Sequence, residues 1–254
     1  TAVTNLDAEN TTSGDVYITN AGALTITDLT GDTYGLQSAG GGVITATSPL
    51  TISANALVGG SFTFTAAGTG AAGDDLTIDS SAVVTLDSAA DATLTFNAGE
   101  DIVFDTGSIV TQGGGTHTVA LNADTEGANT GSVTQTDGTT SVTTNTLTIT
   151  APGGVGTAVQ DFIVSVDSLT ADTSGGNSDQ YISEINDLTA LNLTAGAGNV
   201  WLTAGGGVTD ADGNVDVAAN VLTIDAGGAI TLDTTIASID ATTKASGDMD
   251  IDET

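Results

Sequence analysis

The chain contains no cysteine, two prolines, a single lysine (Lys244) and no arginine. Without cysteine it can form no disulfide framework, no thiol chemistry and no Cys-ligated metal site. Aromatic residues make up only 4% of its 254 residues, against 39% for hydrophobic residues as a whole. This balance predicts a core that is narrow and aliphatic. No apolar run approaches the roughly 18 residues of a membrane-spanning helix, so we expect no membrane insertion.

Negative charge dominates the sequence, because 32 aspartate and glutamate residues give a formal net charge of −31. Such a charge repels the phosphates of nucleic acids and anionic lipid surfaces, which excludes both as partners. The same surplus requires counter-ions, since like charges on one surface repel each other. We therefore expect divalent cations among the partners, and a saline or calcium-containing extracellular location, either secreted or at the cell surface.

Threonine, alanine, glycine, aspartate and branched aliphatic residues fill the sequence, a composition typical of ordered strands joined by tight turns. Short segments alternate apolar and polar residues, as at 76–78, 84–86, 94–96 and 102–104. The first and third of these segments start at a sequence offset of 18, as do the second and fourth. Because each coil of a solenoid lays its strand on the equivalent strand below, this spacing predicts an all-β parallel β-solenoid (β-helix) with coils of about 18–22 residues.

The beginning of the sequence recurs near its other end, where residues 234–254 align without a gap on residues 1–21 at an offset of 233. Seven positions are identical, including Ser13-Gly14-Asp15 against Ser246-Gly247-Asp248, and the apolar positions match as well. We expect one 233-residue unit plus an overlap, taken from a longer tandem array. At a strand spacing of about 4.8 Å and about 20 residues per coil, one unit would form a rod on the order of 55 Å long.

A shorter repeat lies inside this unit, because residues 133–155 match residues 208–230 at an offset of 75. We therefore predict that residues 1–254 form one continuous solenoid segment. An open end of such a stack exposes unpaired strand edges, so each end must meet a neighbour. That neighbour is either a further repeat in one giant chain or an identical subunit joined end to end.

The pattern Asn-x-Leu-Thr-Ile-x-Ala-x-Gly occurs at 145–153 and again at 220–228. In this recurring sequence pattern the chain resembles filamentous-haemagglutinin-type adhesins, and it is similar to giant bacterial β-strand-repeat surface proteins. The resemblance implies a right-handed parallel β-helix, secretion, and a role in adhesion, a biofilm matrix or a surface layer. It implies no catalytic residues.

Asp210, Asp212, Asn214 and Asp216 carry oxygen ligands at alternate positions around a glycine. A hard cation such as Ca²⁺ is bound by six to eight oxygens, and this spacing is similar to the front half of a calcium loop. The bidentate acid that would complete such a loop is missing, and an ordinary Asp-Gly turn explains the same residues. Both interpretations stay open, so calcium is the one cofactor that we expect as a candidate.

Other outward positions suggest contacts with carbohydrate. Alternation turns Tyr17, Tyr181 and Trp201 away from the core, where their rings could stack on glycans of a host or cell surface, or on a neighbouring filament. Asn10 and Asn192 each begin an Asn-x-Thr sequence, which makes them candidate acceptors of N-linked glycans.

The main functional alternative on the same scaffold is an enzyme that acts on polysaccharides through paired acids. We place the single histidine, His117, at an outward strand position as a surface residue, and no Ser or Cys nucleophile motif lies near it. We therefore expect no catalytic site and no enzyme activity. The expected function is a structural or adhesive repeat of an extracellular fibre, surface filament or biofilm matrix. A polysaccharide-active enzyme and a calcium-dependent surface-binding module remain the alternatives.

Overall fold

The computed structural model describes residues 2–68, 73–79, 81–210, 212–245 and 247–254. In these ranges every regular element is a β-strand, and the strands stack in parallel as a β-solenoid of about 11 turns. The predicted fold class is thereby confirmed. No helix in the described ranges is long and apolar enough to cross a membrane. Thr1 and Ser246 of the aligned repeats, and Ala211 of the aspartate-rich loop, lie outside the described residues.

The strands are numbered in chain order. The first thirteen are β1 (Asn5–Leu6), β2 (Ala8–Asn10), β3 (Val16–Asn20), β4 (Leu24–Ile26), β5 (Tyr34–Ser38), β6 (Gly42–Ala46), β7 (Leu50–Ile52), β8 (Asn55–Val58), β9 (Phe62–Ala66), β10 (Leu76–Asp79), β11 (Val83–Ser88), β12 (Ala92–Ala98) and β13 (Ile102–Asp105). The others are β14 (Ser108–Gly113), β15 (His117–Asn122), β16 (Ser132–Gln135), β17 (Val142–Thr150), β18 (Gly154–Val155), β19 (Phe162–Asp172), β20 (Gln180–Glu184), β21 (Ala190–Thr194), β22 (Asn199–Ala204), β23 (Val208–Thr209), β24 (Val217–Ala226), β25 (Ile230–Thr243) and β26 (Met249–Glu253).

Coil length changes along the stack. Leu24, Leu50, Leu76 and Ile102 lie directly on one another in successive coils, at a constant sequence offset of 26. Further along, β20, β22 and β24 stack through Gln180, Val200 and Leu222 at sequence offsets of 20 and 22, so the predicted coil length holds in this part of the chain. The coils from Leu24 to Ile102 are therefore four to six residues longer than those from Gln180 to Leu222.

The sequence offset of 18 was wrongly interpreted as the length of one coil. Leu94 stacks on Phe62 and Val119, whereas Leu76 stacks on Leu50 and Ile102. The offset of 18 therefore joins strands on two different faces. The error has a physical reason: every face uses the same alternation of an inward aliphatic residue and an outward threonine, so the pattern does not identify the face.

The core is a ladder of inward side chains that runs through the whole stack. Strand β12 shows the rule, with Leu94 and Phe96 fully buried and the adjacent Thr93 and Thr95 half-buried on the outer face. Although aromatic residues are scarce, all five phenylalanines lie in this core. The rings of Phe64 and Phe96 stack with their centroids 5.2 Å apart and an interplanar angle of 14°. Coil-on-coil contact thus extends to the aromatic side chains.

Glycine is required where coils approach each other most closely. Gly113 ends β14 with φ of +109°, and a Cβ atom there would lie 2.0 Å from the carbonyl oxygen of Ser88 in the coil below. Both the backbone conformation and the close contact exclude a side chain. Such corners let successive coils keep the strand spacing of about 4.8 Å.

The internal repeat has matching neighbours in its two copies. Val133 stacks against Val155, and Val208 stacks against Ile230. These four residues occupy corresponding positions in the alignment of 133–155 with 208–230. Sequence similarity at the offset of 75 therefore coincides with similar coil-on-coil contacts.

The inward ladder predicts an asymmetry between two neighbouring positions of β12. Phe96→Ala removes a buried ring and leaves a cavity, so we expect it to lower the free energy of unfolding by about 3–5 kcal/mol. Thr95→Ala, on the outer face of the same strand, should cost less than about 1 kcal/mol. Urea unfolding followed by circular dichroism measures both, and equal losses would contradict the assigned faces.

Candidate cation site and buried acids

Three aspartates converge in the loop between β23 and β24. One carboxylate oxygen from each of Asp210, Asp212 and Asp216 lies within 4.8 Å of the corresponding atoms of the other two. Asp210 is 8% exposed and Asp216 only 2%, whereas Asp212 is exposed. The loop therefore places two carboxylates at the side of the core and a third at the surface above them. They line one side of a shallow cavity of about 230 Å³.

Backbone amides from neighbouring coils hold the two buried carboxylates. The Leu191 amide donates to Asp210 Oδ2 at 2.8 Å, and the Asp233 amide donates to Asp216 Oδ2 at 2.7 Å. Within the loop, the Asp212 amide donates to Asp210 Oδ1 at 3.2 Å. The carboxylates are thus positioned by coil-on-coil contacts that the sequence of the loop does not contain.

Asn214, the fourth predicted ligand, is turned towards Asp212. Its backbone amide donates to Asp212 Oδ1 and its side-chain Nδ2 donates to Asp212 Oδ2, both at 2.7 Å. All four predicted residues line the same cavity. Asn214 orients Asp212, and its role as a cation ligand stays a prediction.

Three fully ionised carboxylates in this cluster would repel one another. The pKa of Asp216 is raised to about 6, mainly by burial and also by the nearby carboxylates of Asp210, Asp233 and Asp212, while the hydrogen bond from the Asp233 amide acts in the opposite direction. The pKa of Asp212 is lowered by its hydrogen bonds from Asn214. A proton or a cation at this cluster would relieve the repulsion.

In the earlier copy of the internal repeat, neutral side chains occupy the corresponding positions. Gln135 and Ser141 align with Asp210 and Asp216. The Ser141 hydroxyl donates to Gln135 Oε1 at 2.8 Å, and the Ile163 amide donates to the same oxygen at 2.7 Å. In the earlier copy, the Ser141 hydroxyl and the Gln135 amide oxygen therefore form a direct donor–acceptor pair. In the later copy two carboxylates face each other, and their oxygens suit a hard cation such as Ca²⁺.

His117 is not a surface residue, which corrects the sequence-based prediction. Its side chain is 2% exposed, and its Nε2 lies 3.0 Å from the carbonyl oxygen of Gln112. Along β15, His117 lies on the same side as Val119 and Leu121, all three of them buried. Strict alternation counted back from Val119 would have placed it inward.

Glu184 is a buried acid that the sequence analysis did not single out. It is 1% exposed and alternates inward with Gln180 and Ile182 along β20. The backbone amides of Val166 and Asn186 each donate to one of its carboxylate oxygens at 3.0 Å. Burial raises its pKa to about 7, although these hydrogen bonds act in the opposite direction. The alternation in β20 was the available signal.

Two outward aromatic residues meet on adjacent coils. The rings of Tyr181 and Trp201 stack with centroids 4.4 Å apart and an interplanar angle of 4°. Both side chains are half-buried, whereas Tyr17 is 71% exposed. Of the two candidate glycan acceptors, Asn192 is exposed on β21 and Asn10 is half-buried on β2. Their modification stays a prediction.

No protein-family model matches this chain, and no curated protein or solved structure matches it. The fold agrees with that of β-helix adhesins in its parallel coils. Functional conclusions therefore depend on the geometry of the chain itself.

A bound cation would stabilise the loop that contains the three aspartates. At a Ca²⁺ concentration about 100-fold above the dissociation constant, binding should raise the midpoint of thermal unfolding by about 5 °C. Asp216→Asn should abolish most of this rise, whereas Asp137→Asn, in the corresponding turn of the earlier copy, should leave it intact. Melting curves with Ca²⁺, Mg²⁺ and EDTA test this, and equal Ca²⁺ shifts in all three proteins would indicate unspecific screening of charge.

Glu184 makes stability depend on pH with a definite sign. Its pKa is higher in the folded chain, at about 7, than its ordinary value of 4.5, so the folded state retains the proton to higher pH than the unfolded state. The unfolding free energy should therefore fall as the pH rises from about 4.5 through about 7. Glu184→Gln should flatten this fall, while Asp250→Asn, which removes an exposed carboxylate, should not. Urea midpoints between pH 4.5 and pH 8 measure it, and parallel profiles for all three proteins would contradict the assignment.

Proposed function

We propose that this chain is a structural repeat segment of an extracellular fibre or adhesive stalk. The observation that carries the proposal is one uninterrupted core through about 11 parallel turns. Such a stack transmits load along its axis because each coil is hydrogen-bonded to the next over most of its length. It also grows without a change of architecture, since each coil needs only neighbours of its own kind.

The two end coils support this proposal because they are incompletely covered. In the first coil Leu6, Val16 and Ile18 are only half-buried. In the last coil Ile239 and Met249 are 42% and 46% exposed. Apolar side chains in strands with unpaired edges are a liability in water unless another coil covers them. The partners that we propose are accordingly neighbouring repeats along the axis.

The surface chemistry fits an exterior location. A net charge of −31 keeps separate rods apart and dissolved, and its repulsion is relieved by salt or divalent cations. We propose that the chain is secreted or displayed at the cell surface. We also propose that the Tyr181–Trp201 stack contacts glycans. Tyr and Trp side chains are enriched at binding interfaces because each joins an apolar ring to a polar group.

We further propose that the chain is not an enzyme. The single histidine is buried in β15, and Glu184, whose pKa is raised to about 7, is held inside the stack by backbone amides. Both side chains take part in coil-on-coil packing. Turnover assays on acidic and neutral polysaccharides test this proposal, and catalysis that Glu184→Gln abolishes would overturn it.

Electron microscopy of the native material tests the structural function directly. The 233-residue unit spans about ten of the turns, so antibodies against this chain should label thin filaments with an axial period of about 48 Å. The intact protein should have a mass far above 24.7 kDa if the repeats are covalent. Isolated particles of 24.7 kDa inside the cell would contradict the proposal.

A further inference from the structure

The upper surface of the last coil, residues 234–254, leaves apolar side chains uncovered, with Ile239 42% and Met249 46% exposed. Ile239 lies on Leu222 of the coil below, and Ile251 lies on Leu232. On the opposite side these two isoleucines, with Met249, line an open cavity of about 500 Å³. The question is which structure covers them.

The first coil, residues 2–21, has the same construction as the last coil at the offset of 233. Its strands β1 and β2 correspond to the last part of β25, and β3 (Val16–Asn20) corresponds to β26 (Met249–Glu253). Inward residues recur in register: Leu6 corresponds to Ile239, and Ile18 to Ile251. Sequence similarity and strand position therefore agree.

One hydrogen bond that closes the coil recurs as well. In the first coil, the Val3 amide donates to the side-chain oxygen Oδ1 of Asn20 at 2.9 Å. In the last coil, the Ile236 amide donates to the side-chain oxygen Oε1 of Glu253 at 3.0 Å. Donor and acceptor both recur at the offset of 233, although the accepting side chain has changed from amide to carboxylate. The first and last coils therefore share this closing hydrogen bond.

Residues 22–46 cover the first coil in this same chain. Leu6 is paired with Ile26, Ala8 with Leu36, and Ile18 with Ile44. These pairs show which residues cover the upper surface of a coil of this type.

Two acids of the first coil bind this covering segment. Asp7 Oδ2 accepts hydrogen bonds from the backbone amides of Leu29 at 2.8 Å and Thr30 at 3.1 Å. Asp15 Oδ1 accepts a hydrogen bond from the Gly41 amide at 2.9 Å. Both acids thus act between coils, and their partners lie in the loop before β5 and the corner before β6.

The same two acids are among the identical positions of the last coil. Asp240 corresponds to Asp7 and Asp248 corresponds to Asp15, and both are exposed. Most other polar positions differ between the two coils, including Tyr17 against Asp250. The apolar character of the inward positions recurs, and the two carboxylates that receive the covering segment are among the seven identical residues.

We propose that the last coil is a joint that accepts residues 22–46 of a second copy of this repeat, continuing in tandem. In this joint Ile239 pairs with Ile26 of the second copy, and Ile251 pairs with its Ile44. Asp240 and Asp248 accept hydrogen bonds from the backbone of the covering loop and corner. This inference rests on the proposed function and specifies the partner and the register.

The correspondence between the first coil and the last coil also determines how two units overlap. The lower surface of the first coil corresponds to the lower surface of the last coil, which rests on β24 and the beginning of β25. A second unit that kept its own first coil would therefore duplicate the last coil instead of covering it. The last coil of one unit is the first coil of the next, and the continuous chain resumes at the position of Ala21 with residue 22.

The test is a tandem chain in which residues 22–254 follow Thr254 directly. The natural sequence has no cysteine, so introduced pairs report register without competing thiols. Tyr17 is paired with Val43 in the single chain, and Tyr17→Cys with Val43→Cys is the reference pair. Its counterpart across the joint is Asp250→Cys with Val43→Cys of the second copy. Paired positions are about 4.8 Å apart, within the range for a disulfide.

A shifted pair provides the matched control. Asp250→Cys with Thr45→Cys of the second copy moves the second cysteine two positions along the strand, which separates the Cα atoms by about 8 Å, beyond disulfide reach. We expect the joint pair to oxidise at a rate within about threefold of the reference pair, and the shifted pair at least tenfold more slowly. Mass spectrometry of proteolytic fragments measures the rates.

The outcomes separate this inference from the proposed function. Equal oxidation of the joint and shifted pairs, or no oxidation at the joint in a fully folded tandem chain, overturns the register. If electron microscopy still shows one straight rod of about twice the single length, the structural function survives that result. Two rods linked by a hinge, or loss of circular dichroism per residue relative to the single chain, overturn both.

Discussion

Stacking of one coil on the next is the interaction on which the rest of this structure depends. Each coil contributes a few inward aliphatic residues that cannot form a core alone, and burial is complete only when coils lie on both sides. Leu50, between Leu24 and Leu76, is fully buried, whereas Ile239 at the last coil is not. Stability in such a stack is a sum of nearest-neighbour contacts.

Polar groups in the core follow the same rule. Gln135 and Ser141 pair with each other, Glu184 accepts two backbone amides, and Asp216 accepts one from the next coil. The acids require more from their surroundings than the amide, because burial disfavours their charged form. The stack therefore tolerates buried carboxylates where neighbouring coils supply donors, and it becomes sensitive to protons and cations at those positions.

The sequence was sufficient for the fold class and for much of the inward ladder, because period-two alternation decides which side chains face inward. It was insufficient for the assignment of strands to faces, since strands on all faces share one pattern, as Leu76 and Leu94 show. His117 and Glu184 were recoverable from alternation alone. The positions of Asp210 and Asp216 against Leu191 and Asp233 were not, because these contacts join residues on different coils. The identity of Asp7 with Asp240 was visible in the sequence, but its meaning required the hydrogen bonds to Leu29 and Thr30.

The proposed function follows from the repetition of similar coils along the stack. A rod with a continuous apolar ladder, an acidic outer surface and end coils built alike needs no catalytic group to serve as a fibre. Residue-resolved hydrogen exchange on the single chain tests whether stability depends on stacking between coils. We expect the slowest exchange in the middle coils, around β10 to β19, and progressively faster exchange towards the first and last coils. Amides in the last coil that exchange as slowly as those of β12 would contradict it.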